Sequence, residues 1–329
     1  MDINKNFHLQ LFADSNTQTT SGLSAEMKTY YGMELLDNAK PQLVHNQFAA
    51  TKGLPAGGGK TVEWRKFGSF DKALTPLTEG VTPDGSGISV SYITKELEQY
   101  GDYTTVSDML DLTAIDDVVL EITDRHGANM GLTLDTVTRN EILQGNQVIY
   151  APSGTTEIKN RHSLTRKCVM TGELVAKAAT QLKKMNAPKF DGKYICIIHP
   201  SVAFDLRQDE SWLAAHQYAA ATELFSGEIG ELHGVRFVET TEAKIWNAGK
   251  DNCAVYACLF LGKGAYGVVD LSEGTEVIVK PRGSSGTADP LDQRSSVGWK
   301  GVHAAAILYD EYIVRVECGS SYSAQDKAN

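Results

Sequence analysis

The sequence predicts an α+β protein. Three observations carry this: two segments with strand alternation flank a long polar stretch, one helical periodicity runs far longer than any other, and short strands then interleave with amphipathic helices. Along the chain, residues 14–23 are too polar to offset the entropy of ordering on their own and need a neighbour to order them. From Ala25 to Ala50 the apolar spacing is helical, broken at Pro41, and Gly53 to Gly59 reads as a flexible hinge. Thr61 to Phe67 alternates, with Val62, Trp64 and Lys66 on one face, and Ile88 to Ile93 does the same through Ile88, Val90 and Tyr92. Between these ribbon strands lie Pro76, Gly80, Pro83, Gly85 and Gly87. That stretch is too long for a tight turn and too polar for a core, so it is expected to project from the body.

A short strand through Val106 leads into the long helix, whose apolar residues are Ile115, Val118, Val119, Ile122, Met130, Leu134, Val137 and Ile142. Thr113 followed by Asp116 suggests a capping-box variant at its start. Gly127 and Gly131 each cost about 1 kcal/mol relative to alanine inside a helix. Close backbone approach and a local kink are equal explanations for them. After strand and loop around 148–156, a helix begins near Thr171 with Leu174, Val175, Ala178, Leu182 and Met185 on one stripe, and Asn186-Ala187-Pro188 ends it. Tyr194 to Ile198 is an unbroken apolar run, short enough for a strand buried on both faces. His199 is placed to end that strand and satisfy a backbone group, and Pro200-Ser201 opens a helix through Val202, Leu206 and Trp212. Further strands are expected at Val235–Glu239, Ala254–Leu261, Gly267–Asp270, Glu276–Val279, Ala304–Tyr309 and Tyr312–Glu317, before a polar tail.

A chain of 329 residues with 42% hydrophobic content can bury a substantial core. No apolar run reaches the ~18 residues needed to cross a bilayer, and Asp2 with only a brief apolar patch after it argues against a secretory signal, so no membrane role and a cytosolic origin are expected. Five cysteines, without a Cys-x-x-Cys pair, read as buried free thiols rather than a disulfide framework or a zinc site. The formal charge is −10, from 41 acidic and 31 basic residues, with no basic run. A dedicated nucleic-acid binder would carry a basic stripe, and this chain shows none.

Motifs of catalysis fall short of their requirements. Gly57-Gly58-Gly59-Lys60-Thr61 suggests a phosphate loop, but the glycine needed six residues before Lys60 is replaced by Leu54, and a strand rather than a helix follows. The eight histidines are scattered without metal-ligand spacing, and Ser201 has no base partner in any recognised elbow. The acidic residues Asp116, Asp117, Glu121 and Asp124 oppose the positive end of the helix and solvate its face. No catalytic residue, cofactor site or metal site is assigned.

The order of polar arm, extended loop and spine helix resembles the major capsid proteins of tailed bacteriophages, and within them the N4-type family. The words that carry the likeness are Pro76-Leu77-Thr78-Glu79-Gly80-Val81, Gln99-Tyr100-Gly101-Asp102-Tyr103, Ser107-Asp108, His199-Pro200 with Asp205-Leu206, Gly227-Glu228-Ile229-Gly230, Gly234-Val235-Arg236-Phe237-Val238-Glu239, Asp289-Pro290-Leu291 and Val297-Gly298-Trp299-Lys300. The resemblance runs from about Leu9 to Glu317. It implies the tailed-phage major capsid protein fold: N-terminal arm and helix over 1–54, extended loop (a β-ribbon) over 55–98, peripheral domain with the spine helix over 99–170, axial-domain and connecting elements over 171–265, and C-terminal strands returning to the body over 266–329.

The implied function is self-assembly, as hexamers and pentamers, into an icosahedral head around double-stranded DNA. Portal and scaffold or decoration proteins would be further partners, DNA would be met by non-specific proximity, and assembly would take place in the host bacterial cytoplasm. On the loop, Trp64, Phe67, Phe70 and Leu77 are candidate apolar anchors between subunits, and Arg65 and Glu79 candidate ion-pair partners. A core role for Trp64 within its own subunit is an equal alternative, because large aromatics anchor cores and interfaces alike. Two rival readings are an encapsulin-type compartment, which shares the fold but packages protein, and an NTP-binding enzyme using Lys60.

Overall fold

The computed structural model describes residues 43–53, 59–68, 70, 72–77, 79–82, 85, 87–113, 118–217, 228–270, 274–284 and 289–329. The expectations for the N-terminal arm, for the helical spacing before Pro41 and for most of the 53–59 hinge lie outside them. By contacts the chain divides into two compact units. Tyr100–Met130 with Thr275–Gly301 belong to one, and Gln42–Gln99, Gly131–Gly274 and Val302–Asn329 form the other.

Along the chain, a 3-10 turn at Asn46–Phe48 precedes β1 (Ala50–Lys52), and the predicted ribbon follows as β2 (Thr61–Phe67) and β3 (Val90–Glu96). β4 (Glu98–Ser107) leads to a short helix, α1 (Asp108–Thr113), and the spine helix is α2 (Val118–Ile142). Residues 114–117, and with them Ile115 of the expected stripe and Asp116 of the expected capping box, lie outside the described residues; Thr113 is itself helical in α1, where its hydroxyl donates to the Met109 carbonyl at 2.6 Å. Then come β5 (Val148–Tyr150), α3 (Gly172–Lys184), β6 (Tyr194–Ile198), α4 (Pro200–Gln208) and α5 (Glu210–Gln217). The remainder is strand: β7 (Glu228–Leu232), β8 (Val235–Glu239), β9 (Ile245–Trp246), β10 (Val255–Leu261), β11 (Tyr266–Val269), β12 (Thr275–Lys280), β13 (Arg294–His303), β14 (Ala305–Ile307) and β15 (Ile313–Cys318).

Local chemistry sets several of these boundaries. The Thr171 hydroxyl accepts from the Leu174 N–H at the start of α3, and Asn186, at φ 55°, takes the left-handed conformation that ends it. His199 acts as the N-cap of α4: its Nδ1 accepts from the Ser201 N–H at 3.2 Å, and Pro200 occupies the first turn, where a missing N–H costs nothing. Burial and the loss of hydration lower the His199 pKa, which keeps that nitrogen an acceptor.

The larger unit is built on a seven-stranded sheet in the order β5-β15-β10-β6-β8-β7, with β9 paired beside β10. Every residue of β6 is buried because the sheet is covered on both faces. Tyr194, Cys196 and Ile198 join a core with Leu174, Val175 and Leu182 of α3, whereas Ile195 and Ile197 join a second core with Leu259, Tyr266 and Ile142. The five cysteines are all buried. Charged groups lie inside as well. Glu317 is fully buried and receives Arg161 through two bonds of 2.7 and 2.6 Å and Arg315 at 2.9 Å, while the Arg161 guanidinium lies 3.6 Å over the Trp246 ring.

The smaller unit holds the sheet β12-β13-β4. Gly101 and Gly298 permit this pairing, since a Cβ at Gly101 would stand 2.7 Å from the Trp299 carbonyl oxygen, and one at Gly298 equally close to the Asp102 carbonyl oxygen.

The spine helix departs from its apolar stripe in an informative way. Met130, Leu134 and Ile142 are buried as expected, but Val118, Val119 and Ile122 are only half-buried, and Gly127 and Gly131 are both buried. The wholly buried positions also include Thr123, Asp135, Thr138 and Arg139, which are polar and invisible to hydrophobic periodicity.

Candidate assembly interface

The ribbon is a regular antiparallel pair in which Thr61 faces Glu96, Trp64 faces Ile93 and Phe67 faces Val90. Its two ends have different environments. At the root, Val62 and Trp64 are buried in a small core with Val269, Ala304 and Ala306, lined further by Ile93, Leu97 and Leu308. The Trp64 indole lies so close to the Gly267 backbone that a Cβ there would stand 2.6 Å from its Nε1. Lys95 of β3 reaches Glu141 of the spine helix at 2.8 Å, Lys66 lies 4.3 Å over the Tyr309 ring, and the Lys52 ammonium donates to the Glu63 carbonyl.

Beyond the root, the apolar side chains are exposed among the described residues. Among the described residues, eight of the sixteen exposed large hydrophobic side chains fall between Phe67 and Tyr92, a concentration a solvated loop does not require.

The sequence-predicted contact residues therefore separate. Phe67, Phe70 and Leu77 are exposed, at 57%, 61% and 78%, and so are Arg65 and Glu79. Trp64, at 7%, agrees with the equal alternative of a core role within its own subunit: its indole packs at the root of the ribbon. Arg65 lies 3.8 Å from Glu63 and 5.8 Å from the Tyr92 ring centre, a solvent-exposed arrangement worth little to the fold and open to another partner. Leu74, Val81, Ile88, Val90 and Tyr92 complete the exposed apolar set. Of these, Leu74 and Val81 carry no periodic signal, while the strand alternation does mark Ile88 and Tyr92 as a shared face.

The part of the glycine-rich segment within the described residues, Gly59 to Thr61, runs straight into β2, so no helix N-terminus stands behind Lys60 to face a phosphate. Among the described residues no three or more histidine, cysteine or acidic side chains are grouped to hold a metal ion, and no helix is long and apolar enough to cross a membrane.

Residues 92–316 match the sequence profile of the family described as phage capsid protein. The fold is similar to the capsid of cyanophage P-SCSP1u, with 15% identity over 85% of this chain and 89% of that one at a TM-score of 0.63. It is also similar to the capsid of Ralstonia phage GP4, with 13% identity over 86% and 87% at 0.62. A virus-like particle from Pyrococcus furiosus is similar at 12% identity, 88% and 99% coverage and a TM-score of 0.53. No curated protein matches the chain in sequence.

Proposed function

The chain belongs to the phage capsid protein family, and on that premise we propose that it is the major shell subunit of a tailed phage. In this reading it assembles with copies of itself, as hexamers and pentamers, into an icosahedral head around double-stranded DNA. Within the family we assign it to the N4-type group, on the words quoted above. Residues 55–98 then act as the extended loop, 99–170 as the peripheral domain, 171–265 as axial and connecting elements, and 266–329 as strands returning to the body. The protein works in the virion as a structural element rather than an enzyme. It is made in the bacterial cytoplasm and meets portal and scaffold or decoration proteins there.

The observation that carries the reading is the ribbon, fastened at its root and apolar and exposed beyond it. Fully burying a side chain such as Phe67, Phe70 or Leu77 against a neighbour is worth about 1.5–3 kcal/mol each. Arg65 and Glu79 add charge that selects the neighbour's orientation rather than strength. The net charge of −10 is consistent with DNA that is contained without being held.

The test is to replace residues 69–88 with a short Gly-Ser turn joining β2 to β3. The body should keep its circular dichroism and a cooperative melt, while electron microscopy should find no shells. Normal particles from the shortened chain would mean that the loop is not the connector; an unfolded chain would mean that it belongs to the core.

A further inference from the structure

The ribbon root rests on two buried histidines that neither the capsid reading nor the core packing explains. His45 stands just ahead of the turn and strand that lead into the ribbon, and it is fully buried. Its backbone N–H donates to Asp135 Oδ1 at 2.7 Å, its Nδ1 shares a proton with Asp135 Oδ2 at 2.6 Å, and its carbonyl accepts from the Tyr266 hydroxyl. One buried carboxylate of the spine helix thus holds both the main chain and the ring of the entering segment.

His303 closes β13 and immediately precedes Ala304 and Ala306, the two alanines beneath Trp64. It too is fully buried. Its Nε2 is 2.8 Å from Thr138 Oγ1, within one turn of Asp135 on the same helix, and its Nδ1 has no hydrogen-bond partner. The groups around this cluster are Asp135, Thr138 and Arg139 from the spine helix, Tyr266 from β11 and His45 from the entering segment. Among the described residues Asp135 is the only carboxylate of this group, and Glu242 stands behind Arg139, 3.9 Å from its guanidinium.

We propose that His303, with the His45–Asp135 pair, is an acid-released clasp on the ribbon: neutral, it lets β14 and the spine helix close under Trp64, and protonated, it opens the root while the main sheet stays folded. The Thr138 hydroxyl donates to the Leu134 carbonyl at 3.2 Å, so Nε2 carries the proton of the neutral ring, and a second proton would create an N–H donor at Nδ1, which has no acceptor among the described residues. Asp135 is already committed to two bonds with His45.

Burial and loss of hydration lower the His303 pKa to about 4, from 6.5 in an open chain, with Asp135 pulling weakly the other way. Because the closed-state value is the lower one, protons favour the open state. The contribution of the neutral ring is complete above pH 6.5 and is lost as pH falls toward 4. The two values bound the effect on opening at up to roughly fiftyfold between pH 7 and pH 4.5.

The inference leans on the ribbon being the connecting arm only for its consequence, that acid frees that arm. Its test reads the root within one chain and stands or falls whether or not shells form. Hydrogen exchange of the full-length protein, corrected for intrinsic rates, is followed at pH 7 and pH 4.5. Peptides spanning 43–53 and 61–67 should lose protection by tenfold or more while those spanning 194–198 and 255–261 keep theirs. His303→Gln, which cannot take up the proton, should show no such step. Unchanged protection at the root, loss at the root and main sheet together, or the same step in His303→Gln would each overturn the proposal. If that variant does not fold, the wild-type comparison of root with sheet decides alone.

Discussion

Replacing Gly267 by alanine tests how the ribbon is fastened. The added methyl would lie 2.6, 2.9 and 3.2 Å from Nε1, Cε2 and Cδ1 of Trp64, all within one rigid ring, so relief requires the whole indole to move off the body. Overpacking of this kind costs about 1–3 kcal/mol. Trp64→Ala, by contrast, empties the site and should cost about 3–5 kcal/mol. The decisive quantity is the double variant. With the ring gone, the added methyl has nothing to meet, so Gly267→Ala in the Trp64→Ala background should be close to neutral, giving a coupling of about 1–3 kcal/mol for residues in direct contact. Urea unfolding of unassembled subunits gives the energies, and exchange protection over 61–67 locates the change. Additive costs would refute the reasoning, because they would mean that Gly267 serves something other than the Trp64 ring.

Three other outcomes follow from the interior. Leu134→Ala should destabilise the chain by about 2–5 kcal/mol in a urea melt, since the side chain is wholly buried. Val119→Asp should do less harm, because that position is half-buried and a carboxylate there can reach water; insoluble Val119→Asp protein would contradict this. Glu317→Gln leaves Arg161 and Arg315 facing a neutral amide in the core and should cost about 3–5 kcal/mol, measured by thermal or urea unfolding, with Arg161→Met/Glu317→Gln recovering part of the loss.

The elements that could be read from the sequence are those whose signal is local. The run Tyr194–Ile198, the Thr171 cap, the His199-Pro200 junction and the two ribbon strands each state their structure within a few residues. β13 was not among the expected strands because Ser295, Ser296, Gly298 and Gly301 interrupt alternation. Its pairing instead depends on Gly298 letting another strand approach. The buried polar side of the spine helix was equally silent. Asp135 and Thr138 look like surface residues until His45 and His303, 90 and 165 positions away, are brought to them. Trp64 shows the same limit at the candidate interface. Its alternation marks a face, but only the bare backbone of Gly267 decides that this face turns inward.

The strand order also bears on timing. β15 leaves the ribosome after every other strand of the main sheet, yet it lies inside that sheet, parallel to β5 on one side and antiparallel to β10 on the other. Until Ile313–Cys318 has emerged, β5 has no partner strand and one edge of β10 is open, and such non-local pairings form slowly. A nascent chain is therefore unable to present a finished body to its neighbours. A chain truncated before Ile313 should therefore leave one edge of β10 open and aggregate.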